Sequence, residues 1–203
     1  MRNRIVTALI IAGVATTALG WKSIADGLTL APESRLWIEG TSTVRDYKCT
    51  STALQATVAA TGADAIRAEL TGAKAVTSVQ FTVPAKTLDC GNGTMNGHML
   101  EALKAKDHPE IGFRLVSYEL TAGEKGETGT LNGVLTIGGT DQTIALPVQL
   151  QEGAAGALRV TGKYELNMKD FGIKPPSLML GTMKVHEKVT INFDLLLKSN
   201  QEN

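Results

Sequence analysis

Residues 129–150 read GTLNGVLTIGGTDQTIALPVQL, and the alternation within this stretch decides the fold. Leu131, Gly133, Leu135 and Ile137 take every second position, with Thr130, Asn132, Val134 and Thr136 between them. Successive side chains of an extended chain point to opposite faces, so the first set shares one face. Gly138, Gly139, Thr140 and Asp141 supply a turn. The chain then returns with Ile144, Leu146, Val148 and Leu150 on one face and Thr143, Ala145, Pro147 and Gln149 on the other. Two alternating runs joined by a Gly-rich turn predict an antiparallel hairpin with one apolar face that needs a core to cover it.

The same device recurs on either side. At the C-terminal end Val185, Val189, Ile191, Phe193, Leu195 and Leu197 hold odd positions while Lys188, Thr190, Asn192 and Asp194 hold even ones. Strands are predicted near residues 34–47, 52–60, 65–71, 75–83, 111–121, 129–138, 142–150, 157–167 and 184–197, with some expected to merge or split. About eight strands in a domain of this size suit either a closed up-and-down barrel or a two-sheet sandwich, since both dispose of long exposed edges. Periodicity alone leaves that choice open.

One helix interrupts the pattern. In CGNGTMNGHMLEALKAKDHPEIGF, residues 90–113, Met95, Met99, Ala102 and Leu103 fall on one side of a helix that starts after Gly93 or Thr94 and ends before Asp107 and Pro109. A short helix with an apolar side must cover something, and the mouth of a barrel is the expected object.

The chain has 203 residues, of which 43% are hydrophobic and 20% charged, with 6 prolines, the profile of one folded domain. Its first twenty residues differ from the rest. Arg2 and Arg4 precede an uncharged run from Ile5 to Leu19, and Ala18 and Gly20 place small residues at a cleavage site. A signal peptide over 1–20 is expected, with cleavage after Ala25 as a second option and an uncleaved anchor as the alternative. The expected divisions are a leader at 21–33, the barrel domain at 34–198 and a polar tail at 199–203.

The full chain carries 20 basic and 20 acidic residues, and loss of Arg2 and Arg4 leaves the domain slightly acidic. No stretch concentrates Lys and Arg with stacking aromatics, so nucleic acid is excluded as a partner. Cys49 and Cys90 belong to no C-x-x-C motif. In an exported chain they form one disulfide or remain two buried thiols.

Catalytic signatures are absent from the sequence: there is no G-x-S-x-G elbow, H-E-x-x-H pair or P-loop. His98, His108 and His186 show no metal spacing, and no metal or cofactor is expected. Gly91, Gly93 and Gly97 lack the spacing and the βαβ setting of a dinucleotide site, and read instead as turn residues. His98 with Asp89 or Glu101 is the one pairing that could serve as acid and base, set against a plain polar helix residue. Met95, Met99, Met168, Met179 and Met183 are flexible thioethers suited to an irregular apolar ligand, or equally to ordinary core filling.

Three segments carry a family resemblance. GVLTIGGTDQTIALPV at 133–148 resembles the G-x-L-T-I-x-G segment of the YceI-like family. The stretch from His98 to Phe113 resembles its His-Leu helix followed by Pro-x-Ile-x-Phe, here Pro109, Ile111 and Phe113. NMKDFGI at 167–173, followed by EKVTINFDLLL, resembles its Asp-Phe-Gly segment and final strand. The resemblance spans about Ser34 to Lys198. It implies an all-β fold: an eight-stranded antiparallel, lipocalin-like barrel with a helix near the mouth and an apolar pocket for polyisoprenoid or other lipid chains.

The chain departs from that pattern in the segment Leu88, Asp89, Cys90 and Gly91, where many members have Ile-Asp-Thr followed by an Arg-Asp pair, and at Met168, where an Arg is common. Beside the resemblance, the Cys49 and Cys90 pair reads as a covalent replacement for polar contacts. The first expectation is therefore an exported, periplasmic or secreted protein that encloses an isoprenoid, a quinone tail or a similar lipid. Met95, Met99, Leu103, Phe113, Phe171, Leu178, Met179 and Met183 are the expected pocket residues. The competing readings are a stress-related or structural interaction module with a packed interior, and a lipid-modifying enzyme built on His98. A homodimer is left open.

Overall fold

The computed structural model describes residues 27–62, 64–123, 126–178 and 182–200. The segment 1–20, where a signal peptide is expected, lies outside the described residues. The strands are β1 (Gly27–Leu30), β2 (Arg35–Ser42), β3 (Tyr47–Ser51), β4 (Gln55–Ala60), β5 (Val76–Pro84) and β6 (Glu110–Gly123). They continue as β7 (Gly126–Ile137), β8 (Thr140–Glu152), β9 (Leu158–Asn167), β10 (Ser177–Leu178) and β11 (Met183–Ser199). Among the described residues there are two α-helices, α1 (Ala65–Glu69) and α2 (Gly93–Ala102). Among the described residues no helix is long and apolar enough to cross a membrane.

The sheet closes on itself. β4 through β9 pair in sequence order, β9 pairs β11, and β11 pairs β1, which in turn pairs β4. β2 follows β1 along the same edge of β11, and β3 pairs β2 just as β4 pairs β1. Each of these couples is one barrel strand interrupted by a turn. The result is a closed, eight-stranded antiparallel barrel, with β10 adding a short extra pairing at the start of β11. Closure removes the unpaired edges that an open sheet of this length would present.

The hairpin at 129–150 forms as its alternation requires. Leu131 lies opposite Leu146 and Gly133 opposite Ile144, and Ile137 meets Thr140 across the turn. Gly138 and Gly139 have φ of 55° and 79°, the positive pair that a two-residue type I′ turn demands. The Thr136 hydroxyl donates to Asp141 at 2.7 Å and steadies the strand ends.

Three readings of the sequence are corrected. The segment 34–47 is not one strand, because the turn at 43–46 divides β2 from β3. The segment 65–71 is helix α1, not a strand: Ala65, Arg67, Ala68 and Glu69 are strong helix formers, and the turn buries Ala65 against the closed end of the barrel. The leader at 21–33 contains β1, whose Leu28 lies opposite Val58 and Ser199. In β6 the register slips between Leu115 and Ser117, which leaves Val116 65% exposed on a bulge while Tyr118 turns inward.

Two apolar clusters occupy the interior. At the end sealed by α1, Leu28, Val58, Leu150, Leu158 and Leu197 pack together. Toward the other end, Leu135, Ile137, Ile144, Leu166, Phe171 and Ile173 form a second group. Burial of a side chain of this kind contributes about 1.5–3 kcal/mol, so both clusters stabilise the barrel.

Candidate functional site

A cavity of about 390 Å3 runs inside the barrel toward the end that carries α2. Its walls are the inward positions of the strands, among them Leu36 and Ile38 of β2, Leu135 of β7, Ile144 and Leu146 of β8 and Ile191 of β11. It reaches the surface beside exposed Val44, Arg45 and Thr94. The described interior is therefore hollow rather than packed solid.

α2 is placed across this opening by its own ends. The Asn92 side chain accepts a hydrogen bond from the Met95 amide at 3.0 Å and caps the first turn. At the other end the segment after the helix lies over the β7–β8 turn, where a Cβ on Gly138 would stand 3.2 Å from the Leu103 carbonyl oxygen. Met95, Met99, Ala102 and Leu103, one helical face, line the cavity together with His98. No residue of α2 is fully buried, although Ala102 packs against the second apolar cluster.

The segment before α2 is fixed twice to β3. Cys49 and Cys90 form a disulfide, and both line the cavity. Next to it, Thr50 and Asp89 exchange backbone hydrogen bonds of 2.9 Å in an isolated bridge. The Asp89 side chain accepts from the Asn96 amide group and from the Gly91 N–H, both at 2.9 Å. The Asn96 bond first, and the Gly91 bond second, hold the Asp89 carboxyl below the usual carboxylate range. Asp89 is thus committed to the entry of α2. At the opposite side of the mouth the Ser42–Arg45 turn is tied to β11, where the Thr43 N–H donates to the Lys184 carbonyl at 2.9 Å.

Of the predicted pocket residues, Met95, Met99, Leu103 and Phe113 are brought together on the cavity wall. Phe171 is not part of that wall. It is 3% exposed in the turn at Met168–Phe171 and packs within the apolar cluster of Leu166, Met168 and Ile173. Leu178 and Met183 are register partners across β10 and β11. Met179 lies outside the described residues. Tyr47, with a phenol pushed up by burial, and the disulfide itself are wall elements that the sequence reading did not place there. Strand alternation in β3 could have found them once Ile38 was known to face inward, because Cys49 lies opposite Ile38.

An up-and-down barrel with an apolar hollow and a helix across its mouth defines a lipocalin-like binding architecture. A family model for the YceI-like domain matches residues 38–197, most of the chain, and the protein belongs to the YceI-like family. Solved structures agree on the fold. BcnA of Burkholderia cenocepacia aligns with a TM-score of 0.62 at 19% identity, covering 82% of this chain and 98% of that one. A polyisoprenoid binding domain from Saccharophagus degradans, implicated in plant cell wall breakdown, gives 0.62 at 13% identity over 86% and 98%. The YCEI protein of Campylobacter jejuni gives 0.54 at 18% identity over 73% and 82%. A search of curated proteins finds no match.

Proposed function

We propose that this protein is an exported carrier that encloses a long apolar chain, of isoprenoid or other lipid type, inside its barrel. The observation that carries this reading is the apolar cavity of about 390 Å3 beneath a helix whose Met95, Met99 and Leu103 face it. That volume lies within the roughly 300–1,000 Å3 of small-molecule sites. A hydrocarbon tail drawn into such a space leaves water entirely and gains about 0.8 kcal/mol for each buried methylene. Family membership and the polyisoprenoid-binding domain of Saccharophagus degradans support the same ligand class.

Export is supported by the charged-then-apolar first twenty residues and by the disulfide, since such bonds persist in oxidising compartments. The periplasm is the compartment that suits both. No catalytic step is assigned, because Asp89 is engaged by Asn96 and Gly91 and α2 otherwise offers His98 as a single titratable wall residue.

The test is native mass spectrometry of protein purified from its host, followed by solvent extraction of any released molecule. A stoichiometric lipid is expected. Met99→Glu puts a charge against the proposed tail and should abolish retention with the fold intact. Full retention in that variant would remove this helix face from the site, and an apo mass unchanged by incubation with polyprenols would overturn the carrier reading.

A further inference from the structure

We infer that five side chains crossing the barrel act as a ruler that limits the length of the apolar chain the cavity accepts. This deepens the carrier reading and rests on it. Val79 and Phe81 of β5, Leu131 of β7, Val160 of β9 and Leu195 of β11 line the main cavity and also a second one of about 90 Å3. They are the shared wall between two chambers. Their four strands are spread around the closed sheet, so the side chains approach one another from different sides of the barrel.

The chamber beyond the ring is small and is sealed at its far end. Glu69 and Tyr118 line it, and Glu69 is only 2% exposed. One oxygen of its carboxyl accepts from the Ala75 N–H, the Val76 N–H and the Tyr118 hydroxyl, each at 2.7 Å. This network fastens α1 and the start of β5 across the closed end of the barrel. The apolar chain therefore stops at the ring, with its head at the mouth beside Arg45 and Thr94.

Volume sets the stopping length. At about 30 Å3 for a water-sized group, close to that of a methylene, the main chamber of about 390 Å3 takes about 13 carbons. The second chamber, about 90 Å3, has room for about three more only when the ring is opened. The enclosed chain is thus of farnesyl or medium fatty-acyl length, and a longer polyprenyl chain leaves its remainder outside the mouth.

The ruler is tested with delipidated full-length protein and n-alkanols from decanol to docosanol, read by native mass spectrometry or displacement of a bound fluorophore. Affinity should rise about four-fold per methylene, the equivalent of about 0.8 kcal/mol, and then level off near 13 carbons. Leu131→Ala and Phe81→Ala should move the break to longer alcohols by three carbons or more. Leu131→Phe, which adds bulk to the ring, should move it to shorter ones. Melting curves identify any variant that fails to fold, and the two directions of change give independent readings. A break that stays in place in all three variants, or an affinity that climbs through docosanol without one, overturns the ruler but leaves the carrier. Absence of binding to every alcohol by the folded wild type overturns the carrier reading itself.

Discussion

Three interior glycines, Gly40, Gly133 and Gly162, each lie under an aromatic ring from the neighbouring strand: Tyr47, Phe113 and Phe193 respectively. A Cβ at any of them would overlap that ring, so the missing side chain is what lets each ring lie flat against the barrel wall. The sequence makes Gly133 look like a gap in an apolar face, because nothing in local spacing announces a ring from another strand. The methionines of α2 were legible, since their four-residue spacing is a property of the helix alone. Glu69 was not: read as part of a strand, it gave no sign of its role as a buried acceptor. Burial first, and then the hydrogen bond to Glu69, push the Tyr118 phenol well above the ordinary tyrosine range, so it stays a donor. Tyr118→Phe removes one of three donors to a buried carboxyl and should cost about 1–3 kcal/mol in urea unfolding. An unchanged midpoint would show that the two backbone amides suffice.

At the scale of elements, strands were legible wherever one face is buried and the other wet, as in β7, β8 and β11. α1 was misread because five residues are too few to show a helical period, and propensity was then the better guide. The bulge at Val116 escaped because register is set by the partner strands, β5 and β7, and not by β6 itself. On the outer surface Asp194 of β11 ties its two neighbours together. It accepts from Arg159 of β9 at 2.8 and 2.9 Å and from Arg35 of β2 at 3.3 Å. The Arg159 hydrogen bonds, above all, lower the Asp194 pKa. A carboxyl whose folded pKa is depressed adds stability above its unfolded value, near 3.9, and that stability fades as pH falls through the folded value. Asp194→Asn should therefore be less stable than wild type at neutral pH, with the gap closing as pH falls below about 4. Urea midpoints across that range measure it, and a constant gap would place the effect in packing rather than charge.

For the whole molecule, closure was legible only through family resemblance, since eight amphipathic strands fit a sandwich equally well. What decides the matter is the pairing of Leu28 with Ser199 and with Val58, contacts between distant parts of the chain that no local pattern records. The Cys49–Cys90 disulfide, 41 residues apart, acts at this scale too. In the loop-entropy picture it stabilises the fold by about 3–4 kcal/mol. Replacing both cysteines by alanine should lower the denaturation midpoint and raise amide exchange across 90–103 more than in β7 and β8. Equal exchange in both regions would mean that the Thr50–Asp89 bridge alone suffices to hold the helix.

β11 pairs with β9, β10, β2 and β1, and it follows all of them in the sequence. Until its seventeen residues are present, β9 and β2 each show a bare row of amides and carbonyls to whatever lies nearby. The nascent protein is thus an open ribbon with adhesive margins until β11 joins it. Strand β11 is the clasp that turns that ribbon into a vessel.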